Sequence, residues 1–110
     1  MGKTKLYNKL VRDQIPEIIH KSGKSFNTRK LAHEEYIKEL KNKAFEELNE
    51  YSHSASNQEA AEELADLLEV MHSLAEVHGY TFDQIEEIRQ RKMEVRGGFK
   101  ERIFLIDVEE

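Results

Sequence analysis

The chain contains no cysteine, no tryptophan, a single proline and only five glycines. Without cysteine, disulfide staples and thiolate metal sites are excluded. No window approaches the ~18–20 consecutive apolar residues that a membrane span needs. The opening stretch MGKTKLYNKLVRD has no apolar run of the kind a secretory signal requires. Basic charge is also scarce: 22 acidic residues outnumber 17 basic ones, for a net charge of −5. That balance speaks against a dedicated nucleic-acid or anionic-membrane binder, which would carry a basic excess or stripe. A phosphate ligand stays compatible, because a bound divalent metal reverses the local sign of charge. Internal repeats and low-complexity segments are absent. The expectation is one soluble, cytoplasmic domain over residues 1–110, too short for a second core.

What is present is helical periodicity. Residues 1–23 read as an arm with a short helix, with Leu10, Val11, Ile15, Ile18 and Ile19 as apolar points and Pro16 where a helix can begin. From His33 the apolar residues Ile37, Leu40, Ala44, Leu48 and Tyr51 recur at steps of three and four, predicting an amphipathic helix over 33–51. Ser56 with Glu59 is a capping-box start for a second helix. Its stripe is Ala60, Leu64, Leu67, Leu68, Met71, Leu74 and Ala75, and it ends near Gly79. Thr81 with Gln84 repeats the capping pattern for a third helix, with Phe82, Ile85 and Ile88 inward, ending at Gly97-Gly98. The tail 99–108 contains IFLIDV, a run rich in strand formers, and is expected to pair with 24–31. The first two long helices are joined by a short loop and should pack antiparallel. The fold class expected is therefore an all-α antiparallel bundle with a small two-stranded β element.

Most of the glutamates belong to solvated helix faces, so the informative ones are those that do not. At about 100° per residue, Glu47 falls about 50° from the centre of the first stripe, and Glu50 follows on the same side at i+3. Glu46 falls on the far side. In the second helix Glu63 flanks Ala60, Leu64 and Leu67, and Asp66 follows at i+3, whereas Glu62 and Glu69 point away. The pairs Glu47/Glu50 and Glu63/Asp66 can converge across an antiparallel hairpin. Four carboxylates near a core are costly unless something positive is bound, and Mg²⁺, a hard ion with oxygen ligands, is the natural occupant. On spacing alone a second reading stands level with this one: Glu47 and Glu63 reach past the stripe edge and pair with lysines.

Glu47-Leu-Asn-Glu50, twelve intervening residues and Glu63-Leu-Ala-Asp66 resemble the ExxE…ExxD signature of the all-α nucleoside triphosphate pyrophosphohydrolases. This superfamily includes MazG, dimeric dUTPases and the phosphoribosyl-ATP pyrophosphohydrolases of histidine biosynthesis. The blocks YNKLVRDQIPEII (7–19), EEYIKEL (34–40), EELADLLEV (62–70) and RGGFKERIFL (96–105) are similar, in register, to the phosphoribosyl-ATP pyrophosphohydrolase-like branch. The resemblance implies that Glu47, Glu50, Glu63 and Asp66 bind Mg²⁺, with Mn²⁺ as a substitute. It implies hydrolysis of a nucleoside triphosphate between the α and β phosphates, giving a nucleoside monophosphate and pyrophosphate. The expected role is housecleaning of (d)NTPs. The alternatives are phosphoribosyl-ATP hydrolysis and a non-catalytic helical module of the same fold.

The general base expected is Glu47, the most buried of the four and so the easiest to raise in pKa. Cations for the substrate phosphates are available at Arg89, Lys92 and Arg96, which form a stripe on the third long helix, and at Lys9 and Arg12 in the arm. The plainer readings are a solvated helix face and an Arg12–Asp13 ion pair. Tyr7, Tyr36, Tyr51 and Phe99 are available to stack on a base, although core packing is the commoner use. The histidines are not spaced as a metal set: His72 and His78 lie on different helix faces. Apolar surface at Phe45, Phe99, Ile103, Phe104 and Leu105 exceeds what one small hairpin covers, so a homodimer or homotetramer is expected.

Overall fold

The computed structural model describes residues 3–110 and contains four helices: α1 (Ile15–Lys21), α2 (His33–Ser52), α3 (Asn57–Val77) and α4 (Phe82–Arg96). Pro16 sits in the first turn of α1, where its missing N–H costs nothing. The Ser56 hydroxyl accepts the Glu59 N–H at 3.1 Å to start α3, while the Glu59 carboxylate accepts the Ala55 N–H at 2.8 Å. At α4 the capping box closes fully: Gln84 N–H donates to Thr81 Oγ1 at 3.2 Å, and Thr81 N–H donates to Gln84 Oε1 at 2.9 Å. Gly79, at φ +79°, ends α3 in a left-handed conformation that a side chain would strain. The expected helix boundaries agree with those observed to within a residue or two.

α2 and α3 form the antiparallel hairpin, and α4 packs on α3. His72 of α3 stacks face to face on Phe82 at the start of α4, with ring centroids 3.8 Å apart. Among the described residues, the N-terminal arm makes no strand or helix before α1. It crosses the hairpin instead, with Lys9 donating to Glu46 of α2 at 3.1 Å and Arg12 donating to Asp66 of α3 at 2.7 Å. Asn8, at φ +45°, supplies the bend just before Lys9.

The expected β element is not formed. Neither 24–31 nor 99–108 is a strand, and no strand occurs among the described residues. Arg29 is clamped by both Glu35 oxygens, which ties the connector to the first turn of α2. The tail leaves α4 through Gly97 (φ +82°) and a turn closed by Arg102 N–H on the Phe99 carbonyl at 3.1 Å. Strand formers without a neighbouring ladder gain nothing, and a lone two-stranded ribbon is marginal in water.

The core is small. Leu40, Val70 and Ala75 are its buried apolar residues, whereas Leu48, Tyr51, Leu64, Leu68 and Met71, all expected inward, are 39–48% exposed. Tyr7, Tyr51 and Phe99 are likewise exposed rather than packed in the core, and Tyr36 is half-buried. The accessible surface is 10517 Å², against about 6,300 Å² for a folded monomer of 12.9 kDa. The radius of gyration, 18.8 Å, exceeds the ~13 Å of a compact chain of this length. Among the described residues, no helix is long and apolar enough to cross a membrane.

Candidate metal centre

The helical phase places Glu47 and Glu50 one turn apart on α2 and Glu63 opposite them on α3. Glu47, Glu50 and Glu63 each present a carboxylate oxygen, and the three lie within 4.8 Å of one another. Glu47 is buried at 6% exposure, Glu63 is half-buried and Glu50 is open to solvent. Glu47 is thus the most buried of the expected four. Its Oε2 and that of Glu63 are both buried with no hydrogen-bond donor. A buried carboxylate oxygen without a partner is costly, and two facing each other are costlier.

The electrostatics register that cost. Burial first, then the Glu63 carboxyl beside it and the charge of Glu50, push the Glu47 pKa up to about 7. For Glu63, the adjoining Glu47 carboxyl pulls the pKa down, but Glu50, burial and the Asp66 charge outweigh it and the net shift is upward. Without a cation the pair retains a proton at a pH where ordinary glutamates have lost theirs.

The fourth expected ligand, Asp66, is held differently. Its Oδ1 accepts from Arg12 Nη2 at 2.7 Å, so Arg12 spans to α3 rather than pairing with Asp13. Lys43, which the sequence reading did not single out, sits 3.7 Å from Glu47 Oε1 and 3.3 Å from Glu46 Oε2. The lysine-pairing alternative therefore holds for one oxygen of Glu47 and for neither oxygen of Glu63. The i, i+4 spacing of Lys43 and Glu47 was the available signal. Glu46, expected on the solvated side, is half-buried and bridges Lys9 and Lys43. Burial pushes its carboxyl up, but the two ammonium groups hold it below the usual range. Lys9 in turn is held above its ordinary value, chiefly by that hydrogen bond.

Five carboxylates (Glu46, Glu47, Glu50, Glu63, Asp66) thus meet three cations (Lys9, Arg12, Lys43). Fully ionised, the group has an excess of two negative charges, which one divalent ion would cancel. Oxygen-only donors suit a hard cation. Of the expected phosphate-binding cations, Lys9 and Arg12 are brought to this group. Arg89 is engaged by both oxygens of Glu86. Among the described residues no ion pair joins Arg89, Lys92 or Arg96 to the cluster. No family model, curated protein or solved structure matches the chain.

Proposed function

We propose that the chain is a Mg²⁺-dependent nucleoside triphosphate pyrophosphohydrolase, acting in the cytoplasm on surplus or non-standard (d)NTPs. The observation that carries this reading is the pair of donorless buried oxygens, Glu47 Oε2 and Glu63 Oε2, within a three-glutamate cluster. Glu47, Glu50 and Glu63 would hold the ion, and Asp66 would join them if Arg12 releases it. When bound, Mg²⁺ neutralises phosphate oxygens and orients the triphosphate for attack at the α phosphorus. Mn²⁺ would serve in its place. The ExxE…ExxD spacing, similar to that of the all-α pyrophosphohydrolases, supplies the reaction: water adds at the α phosphorus and pyrophosphate leaves.

The chain's own contributions are charge and placement. Lys9 and Arg12 stand at the edge of the carboxylate group, where the arm can offer them to phosphate oxygens. Glu47, the most buried of the four carboxylates, is the group suited to take the proton of the attacking water through an oxygen that the ion leaves free. A homodimer or homotetramer is part of the reading, supported by an accessible surface larger than that of a compact monomer of this mass.

Pyrophosphate release from a panel of canonical NTPs, modified NTPs and phosphoribosyl-ATP tests the proposal. Turnover should vanish with EDTA and return with Mg²⁺. Glu50→Gln and Glu63→Gln should lower the rate by orders of magnitude, whereas Glu69→Gln should leave it near that of the unmodified chain. Preference for phosphoribosyl-ATP would move the assignment to the histidine pathway reaction. No pyrophosphate from any substrate would leave the non-catalytic module.

A further inference from the structure

α3 is apolar over more of its circumference than α2 covers. Val70 and Glu63 turn toward the seam with α2. Beyond them an arc of about 140°, from Leu74 round to Ala61, holds only alanine, leucine and methionine, apart from Asn57 in the first turn. No charged residue lies on that arc. Leu64, Leu68 and Met71 stand along it and are 43–48% exposed. Leu48 of α2, 47% exposed, belongs to the same side, because in an antiparallel pair a rising helical angle turns both helices toward one side of the hairpin. The opposite side holds Glu50 and Asp66, and there the arm crosses, through Lys9 on Glu46 and Arg12 on Asp66. α4 reaches the uncharged side at the C-terminal end of α3, where Ile85 with Met71, Leu74, Ala75 and His78 lines an open groove of about 290 Å³. Leu64 and Leu68 lie outside that groove.

Charge decides what can cover such a face. The arm is committed to the acidic side of the hairpin. The tail's apolar run closes on Asp107, Glu109 and Glu110, which would meet an uncharged arc with nothing to pair them. A second copy brings the same uncharged arc, so a two-fold contact of α3 with its image buries no charge and sets no like charges together. The area is available. The accessible surface exceeds that of a compact monomer of this mass by about 4,200 Å², and a standard interface takes about 800 Å² from each partner.

We propose that the α2–α3 hairpin docks on a second copy of itself through this face, with Leu64, Leu68 and Met71 of α3 and Leu48 of α2 at the contact. The two hairpins then form a four-helix bundle whose acidic sides face outward. An axis beside Leu68, the middle of the three α3 residues, sets Leu68 next to its own image whichever way the partner helix runs. The proposal rests on the self-association included in the proposed function and names its surface. It does not depend on the metal or on turnover.

The chain has no cysteine of its own, so engineered thiols report cleanly. Oxidised at micromolar concentration, the Leu68→Cys chain is expected to form a disulfide between copies roughly ten-fold or more faster than Val95→Cys, because thiols held together have a far higher effective concentration than free ones. Val95 is the more exposed position, at 85%, so random collision alone would give the reverse order. By light scattering, Leu64→Glu/Leu68→Glu should fall to the mass of one chain with its helical circular dichroism kept, since both side chains are already half open in the single chain. Val95→Glu/Phe104→Glu should keep the mass of the unmodified protein. A Leu68→Cys link no faster than that of Val95→Cys would overturn the face, and it decides alone if the glutamate variant loses its helices. A glutamate variant that keeps the unmodified mass would overturn the face and leave self-association standing. A single-chain mass for the unmodified protein would overturn both. In Leu68→Cys/Phe104→Cys, a disulfide within one chain as the main product would give the face to the tail and likewise overturn the proposal.

Discussion

Glu47 and Glu46 are adjacent in the chain and titrate in opposite directions, and the reason lies in what reaches each from elsewhere. The 3.6-residue period brings Glu47 toward the hairpin seam and toward Glu63, so that much was legible in the sequence. Lys9 reaches Glu46 from 37 positions away, and no helical wheel contains that contact. The Glu47 carboxyl titrates at about 7 in the folded chain against 4.5 unperturbed. Between those values the folded state binds a proton that the unfolded state has lost, so stability falls as pH rises through the interval. Glu46, held low, contributes in the opposite sense only below its unperturbed value and leaves this window unaffected. The EDTA-treated protein should therefore melt several degrees lower at about pH 8 than at about pH 5. Mg²⁺ should flatten that slope by binding the ionised form, and Glu47→Gln should flatten it without metal. Thermal melts at the two pH values check all three expectations, and a metal-free Tm that rises with pH would contradict the raised carboxyl.

Helix ends and loop chemistry were read correctly wherever a side chain closes on its own backbone within three or four residues. The Thr81–Gln84 box is such a case, and Ser56 accepting from Glu59 N–H is another. Thr81→Ala removes the cap and should cost about 1 kcal/mol, seen as a Tm lower by about 4–8 °C in a domain of this size. Ala32, which caps α2 with no side-chain hydrogen bond, offers the converse: Ala32→Ser should raise the Tm. The tail was misread because strand propensity describes how a side chain fits a half-buried pleated surface, and IFLIDV has no such surface within its own chain. Periodicity likewise marked Leu48, Leu64, Leu68 and Met71 as inward without saying whether a neighbour of the same chain would arrive to cover them.

The molecule extends 67 × 35 × 26 Å, although its longest helices span only about 30 Å. The proposed self-association would cover part of the extra length and of the 10517 Å² of surface. Light scattering at micromolar concentration should give a mass of at least twice 12.9 kDa. A mass of a single chain at that concentration would contradict the inference from surface area. The N-terminal arm carries a separate consequence. Arg12 occupies Asp66, so an ion that recruits this carboxylate must first displace a cation belonging to the chain itself, and the arm loses one of its two moorings as the ion arrives. Metal content then becomes readable as susceptibility to proteolysis. Limited trypsin digestion should cut after Lys9 and Arg12 faster in Mg²⁺ than in EDTA, while the cut after Arg89, remote from the cluster contacts, sets the reference rate. Equal ratios in the two buffers would mean that Arg12 keeps Asp66 and that the ion is held by the three glutamates alone.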